Sequence, residues 1–376
     1  MRRLICLSRA KQLGSFCQRS APQPFPVPRE TCGADAGRQL SPAEPLGMFT
    51  KEFLFDTSDV PFAECHASSL CRTADGGWYV VWFAGTHERH PDVRIWGSQR
   101  SPDGIWSAPK VVAAYGSEAH WNPVLHRDTS GRLHLWFKVG INVPVWRTMV
   151  QTSENDGRSW SRPTELVVGD IGGRGPVKNP ILVTRSGVWL AGASLETATV
   201  ESSDAQWDVF VDRSTDHGKS WTSTKWIERS PAQFPDPGAI QPALWESGAG
   251  HIHMLCRTTC GWIGRSDSSD DGRTWSTLRR IPVPHNNSGV DVCTLPDGRV
   301  VLCCNPIPRG AWPDRSPISI LVSNDNGETF TKVCDLETEP ASEFSYPTIE
   351  TSGPNKVTAV YTWKRRRIVW ADVNIP

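Results

Sequence analysis

Neither sign of charge prevails in this sequence: 40 Lys and Arg stand against 40 Asp and Glu. That balance excludes the electrostatic footprint of a nucleic-acid binder or of a protein drawn to anionic membranes. No run reaches the roughly 18 apolar residues a membrane span needs. No Cys-x-x-Cys pair and no His-Glu-x-x-His run occurs, and the 10 His lack ligand spacing, so neither a metal nor another cofactor is called for. Long stretches of helical periodicity are missing as well. Met and Tyr are scarce, at 4 each. Trp is abundant by contrast, at 18, and core packing between sheets is expected to absorb most of these rings.

With 38% hydrophobic and 21% charged residues the chain has the apolar content of a globular protein, not a disordered one. The 11 Cys are an odd number, and Cys303 and Cys304 are adjacent. They read as mostly buried free thiols, which suits a reducing compartment. Residues 1–48 read as an extension. Its first 20 residues are basic and free of acids, and a Pro-rich run follows from Ala21 to Pro28. It has no continuous secretory core; disorder or an organelle-targeting role is expected. A single basic run, Lys364-Arg365-Arg366-Arg367, lies between apolar segments and reads as a solvated hairpin tip.

The dominant feature is an internal repeat. Ser153-Glu-Asn-Asp-Gly-Arg-Ser-Trp160, Ser214-Thr-Asp-His-Gly-Lys-Ser-Trp221, Ser268-Ser-Asp-Asp-Gly-Arg-Thr-Trp275 and Ser323-Asn-Asp-Asn-Gly-Glu-Thr-Phe330 share one pattern. Their starts are 61, 54 and 55 residues apart, and a degenerate copy, Ser98 to Trp106, begins 55 residues earlier. Asp or Asn bonds its own turn backbone, Gly supplies positive φ, and the aromatic fills a gap between neighbouring sheets. Short apolar runs flank the copies: 78–83, 133–137, 188–191, 251–256, 300–303 and 357–363. Several strands per ~55-residue unit indicate a propeller. The stretch 49–376 divides into six such units, so the expected fold is an all-β, six-bladed β-propeller.

These turns resemble the Asp-boxes of the sialidase superfamily. The segments between them, such as Glu64-Cys-His66, Gln241-Pro-Ala-Leu-Trp245 and Glu343-Phe-Ser-Tyr-Pro347, resemble its predicted-neuraminidase branch. Members clamp a substrate carboxylate with arginines and use a Tyr assisted by a Glu, with an Asp as acid/base. The resemblance implies clamp residues at Arg257 and Arg315, a nucleophile at Tyr346, and an acid at Asp92 or its rival Glu88. Two positions depart from the pattern. Glu64-Cys65-His66 stands where the first clamp Arg is expected, and Gln241 stands where the activating Glu is expected. Lys178 or Arg174 would restore positive charge, and His66 would replace the missing base.

Polar clusters recur at the inner-strand phase of successive units. They comprise Glu64 and His66; His120, Trp121 and Asn122; Gln241; and His285, Asn286, Asn287 and Asp291; Lys178 and Asn179 join them as substrate-binding candidates. Their convergence on one carbohydrate site is expected, with Trp stacking on the sugar and the polar groups bonding its hydroxyls. Asn286-Asn287-Ser288 also spells a glycosylation acceptor, which a channel-facing position would hide. Three functions stay open on the sequence. They are an exo-acting sialidase-like hydrolase, a polysaccharide lyase acting on uronates, and a carbohydrate-binding propeller without turnover.

Overall fold

The computed structural model describes residues 47–198, 205–235, 237–308 and 314–376. The expected extension 1–48 falls outside them except for its last two residues. Gly47–Pro376 forms one compact unit.

The first strand, β1 (Phe49–Phe53), belongs to the last sheet. Blade one is β2 (Glu64–Arg72), β3 (Trp78–Gly85), β4 (Arg94–Arg100) and β5 (Lys110–Ala113). Blade two is β6 (His120–Arg127), β7 (Leu133–Val139), β8 (Arg147–Ser153) and β9 (Thr164–Glu165). Blade three is β10 (Leu182–Val183), β11 (Trp189–Glu196), β12 (Trp207–Ser214) and β13 (Thr222–Ser223). Blade four is β14 (Ala239–Gly248), β15 (His251–Thr258), β16 (Trp262–Ser268) and β17 (Arg279–Pro284). Blade five is β18 (Asp291–Thr294), β19 (Val300–Cys304), β20 (Ile318–Ser323) and β21 (Thr331–Glu337). Blade six is β22 (Phe344–Gly353), β23 (Lys356–Trp363) and β24 (Arg367–Asn374), with β1 as its outer strand.

Six four-stranded antiparallel sheets thus form the β-propeller. Each apolar run singled out in the sequence is the second strand of a blade. That strand is covered on both faces, which is why it reads as a dense apolar run. Blade six is completed by β1, whose Phe49 pairs with Val373 and whose Phe53 pairs with Val369.

Packing between blades explains most of the tryptophan. Trp82, Trp121, Trp136 and Trp245 are fully buried, each in an inter-blade cluster, and Trp207 is fully buried as well. The repeat turns fix the blades against one another. In all four, the first Ser accepts a bond from the Gly amide four residues on, at 2.8, 2.8, 3.0 and 2.7 Å. The Asp or Asn carboxyl or amide oxygen accepts one from the Ser or Thr amide, each at 2.9 Å. Two successive residues take positive φ, as at Asp156 (55°) and Gly157 (73°). A Cβ on Gly157 would lie 2.1 Å from the Tyr79 ring of blade one, so only glycine fits there. Trp221 reaches Trp136 across the blade boundary, ring centroids 6.3 Å apart.

Four inner strands share a backbone device. β2, β6, β14 and β22 carry a bulge near their start, between His66 and Ser69, Trp121 and Val124, Ile240 and Ala243, and Ser345 and Thr348. Within each bulge one residue has positive φ: Ala67 (55°), Asn122 (32°), Gln241 (56°) and Tyr346 (55°). Such residues are uncommon in L-chains and strained. A bulge re-aims a side chain, and here it does so at the mouth of the propeller axis. Of the eight described cysteines, Cys65, Cys71, Cys256, Cys303 and Cys304 are buried free thiols.

Candidate functional site

In an antiparallel meander the start of the first strand and the end of the second lie side by side. Glu64 faces Gly85, Ala239 faces Thr258 and Phe344 faces Trp363. Inner-strand starts and the turns between second and third strands therefore gather on one rim.

Tyr346 is the centre of that rim. Its hydroxyl oxygen accepts a bond from Arg257 Nη1 at 2.6 Å and one from Gln241 Nε2 at 3.3 Å. Arg257 Nη1 also lies 3.5 Å from Gln241 Oε1, and its Nε donates to Asn287 Oδ1 at 2.8 Å. The guanidinium carbons of Arg257 and Arg315 stand 5.8 and 5.5 Å from the centre of the Tyr346 ring. The His66 ring packs on the same phenol, centroids 4.2 Å apart. Residues from blades one, four, five and six thus meet at one phenol.

The charges around it are organised by Glu343. Its Oε1 accepts from Arg315 Nη1 at 3.1 Å and from Ser345 Oγ at 3.0 Å, and its Oε2 accepts from Arg365 Nε at 3.0 Å. Arg365 Nη1 in turn bonds Glu88. This corrects the reading of Lys364–Arg367 as a solvated tip: Arg366 is exposed, but Arg365 is turned inward, its side chain 18% exposed. Arginines from three blades therefore converge here, Arg257 and Arg315 at the Tyr346 ring and Arg365 through Glu343. Arg257 differs from the other two in that its bonds go to neutral groups, namely Asn287, Gln241 and Tyr346.

Burial and these cations set the protonation of their neighbours. Burial, then Arg365, Arg315, Arg257 and Lys178, hold the His66 imidazole well below its ordinary pKa, so it is neutral. Its Nδ1 lies 3.0 Å from Thr362 Oγ1. His285 is pushed down to about 3 by burial and by Arg257 and Arg315. Burial lowers Arg315 to about 10, against the pull of Glu343, and it stays charged at neutral pH.

Other expected site residues are engaged within the protein. His120 is fully buried; its Nε2 accepts from the Tyr115 amide at 2.8 Å, its Nδ1 lies 3.0 Å from Glu118 O, and its ring stacks on Phe137. Trp121 donates its indole N–H to Gly140 O at 2.9 Å inside the blade-one/blade-two core. It presents no face to a sugar, contrary to expectation, because packing has absorbed it. Asn122 donates to Val177 O at 3.1 Å. Lys178 is buried against Val290 O and Pro347 O, and burial brings its pKa down to about 8. Asn179 bonds Val290 O at 2.6 Å and Asp291 Oδ1 at 2.7 Å, while Asp291 Oδ2 accepts from the Ile349 amide. These three residues form an internal network that braces β22, not a charge open to ligand. Arg174 is spent on Asp212, 2.9 Å away. Asn286, the acceptor position of the glycosylation motif, is buried and donates to Asp314 O at 2.9 Å.

The acid candidates divide. Glu88 sits in the turn after β3, tied to Arg365. Asp92 folds back on its own turn, accepting from the Thr86 amide at 3.0 Å and the Thr86 hydroxyl at 2.6 Å, with His90 2.8 Å away. Burial opposes the shift, but the bonds from Thr86 and His90 hold its carboxyl below the ordinary range. Glu64 opens β2 at the rim, partly exposed.

Sequence reasoning missed Arg365, Glu343 and Glu196. Glu196 ends β11 opposite Trp207, whose ring carries the Arg257 guanidinium at 5.4 Å. Burial raises its carboxyl to about 7, with Arg257 opposing and Glu88 adding to the rise. Strand phase was the available signal, because Glu196 ends the second strand of its blade and Arg365 lies just beyond the second strand of another. A surface cleft lined by Ile171, Leu195, Phe210 and Trp226 contains none of the Tyr346 cluster. Among the described residues no group of His, Cys, Asp and Glu could hold a metal, and no helix is long and apolar enough to cross a membrane.

Six blades, their box turns and a polar rim around one Tyr define the sialidase-like propeller fold. Residues 76–357 match the BNR repeat-like domain family, and the chain belongs to that family. The matched stretch holds Glu88, Gln241, Arg257, Arg315 and Tyr346; His66 and Arg365 lie outside it. A comparison with curated proteins found no match. Among solved structures, a Dyadobacter fermentans protein of unknown function is similar, with a TM-score of 0.67 and 14% identity, over 83% of this chain and 95% of that one. The Hadza microbial sialidase Hz136 gives 0.69 and 16%, over 86% of this chain and 68% of that one. The NanB sialidase of Streptococcus pneumoniae gives 0.66 and 15%, over 86% and 70%. At these identities the likeness is one of fold.

Proposed function

We propose that the protein is a sialidase-like, exo-acting glycoside hydrolase that releases a terminal acidic sugar from a glycan. The observation that carries this reading is the placement of Arg257 and Arg315 5.8 and 5.5 Å from the centre of the Tyr346 ring, with Arg257 bonded only to neutral partners. A guanidinium so held is matched by a carboxylate ligand, which it binds through charge-assisted bonds. The oxygen of Tyr346 meets the positive charge that develops at the anomeric carbon, and the arginines hold the sugar's acidic group beside it. Asn287 and Gln241 orient Arg257 for that task. Gln241 accepts no proton, so Tyr346 acts here without a carboxylate base beside it.

The neutral His66 imidazole packed on Tyr346 favours a second reading, a uronate lyase in which His66 takes the proton. The two reactions leave different products. A screen of acidic glycans with product mass spectrometry is expected to show addition of water. An unsaturated sugar absorbing in the near ultraviolet would establish the lyase, and binding without product would establish a lectin-like propeller.

A further inference from the structure

We infer that Glu196 is the proton donor to the leaving-group oxygen of the glycoside. This assignment rests on the hydrolase reading of the same site and adds to it a residue from blade three. Directly opposed residues of an antiparallel pair carry their side chains on one face. Glu196 and Trp207 are so opposed, and the Trp207 ring holds Arg257, which bonds Tyr346. The carboxyl therefore belongs to the same rim as the phenol, and it is partly accessible.

Three other rim carboxyls are engaged, which leaves Glu64, at the start of β2, and Glu196. Glu343 is paired with Arg315 and Arg365, Glu88 with Arg365, and Asp92 with Thr86 and His90. The charged groups facing Glu196 are Arg257 and Glu88. Held up to about 7, the carboxyl keeps its proton where ordinary carboxyls have lost theirs, as a general acid must. In the step, the glycosidic C–O bond breaks and its electron pair goes to the leaving oxygen, which takes the Glu196 proton. The anomeric carbon, its charge met by Tyr346, then adds water, and the proton released restores the acid form.

The test is Glu196→Gln, assayed on paired alkyl and nitrophenyl glycosides of sialic and uronic acids. An alkoxide leaves only if protonated; a nitrophenolate does not need it. We expect the variant to lose ~100-fold or more on alkyl glycosides and less than ~10-fold on nitrophenyl ones. The limb of the pH–rate profile near neutrality should vanish on the alkyl substrates. Equal losses on both, or none, with wild-type turnover intact, would overturn the assignment and leave the hydrolase reading standing. A wild-type protein that hydrolyses none of these glycosides would overturn both. Carbon-13 NMR of labelled glutamate gives a readout without turnover. Among the described residues two glutamates, Glu196 and Glu350, are held at about 7. Glu196→Gln should remove one of these resonances, and retention of both would refute the assignment even where the variant is poorly active.

Discussion

The inner strands β6 and β22 begin alike and end up doing different work. Each carries a bulge at the rim, each holds a residue in the left-handed region, Asn122 at 32° and Tyr346 at 55°, and each follows it with proline. In blade two the re-aimed amide bonds the Val177 carbonyl, and its neighbour Trp121 is locked between blades. In blade six the phenol meets two arginines and a glutamine. The bulge is thus scaffold; the groups that the adjoining blades bring to it decide whether it binds a blade or a ligand.

The largest effects should separate those two uses. Tyr346→Phe is expected to lower turnover by ~100-fold or more, with the melting temperature unchanged. Trp121→Ala should do the reverse, costing ~3–5 kcal/mol of stability while the folded fraction keeps its turnover. A Trp121→Ala protein that stayed stable but lost turnover would break the comparison. Next, Arg257→Met should weaken binding of an acidic sugar by ~10–100-fold in calorimetry, as expected for a lost charge-assisted bond. Asn122→Ala should leave that affinity unaltered.

A smaller effect concerns pH. The folded pKa of Glu196 is raised from 4.5 to about 7, so the native state holds a proton that the unfolded chain has lost. Stability therefore falls as pH rises from 4.5 to about 7. Glu196→Gln should match the wild type in melting temperature near pH 4 and exceed it by a few degrees at pH 8. The smallest effect lies in the box turns, remote from the rim. The bonds from Thr329 and Ser323 hold Asp325 at about 2, below its ordinary 3.8. Its contribution is present above 3.8 and is lost as pH falls through about 2. Asp325→Ala should lower the melting temperature slightly at pH 7 and not at pH 1.5, by calorimetry.

How much was legible in the chain follows from the range of each interaction. The box turns are local; Ser323 to Phe330 contains its own hydrogen bonds, so the pattern and its spacing disclosed the six blades. Arg257, Arg315 and Tyr346 were located through the resemblance of their segments to sialidase motifs. Trp121 was misjudged because a ring that stacks on sugar and one that fills a core are the same residue; only the neighbours Phe83 and Trp146 tell them apart. Arg365 was hidden for the opposite reason. A run of four basic residues describes a solvated tip well, and its partner Glu88 lies 277 positions away. Glu196 left no motif at all; only its strand phase marked it.

The pairing of β1 with β24 has a consequence for assembly on the ribosome. Phe49–Phe53 leaves the ribosome before the first five sheets are complete, yet its partner Val369–Val373 follows all of them. The sheet that finishes the ring also carries Tyr346, Glu343 and Arg365. A nascent chain with five sheets formed would still lack that phenol and its charge network, so ring closure and site completion become one event.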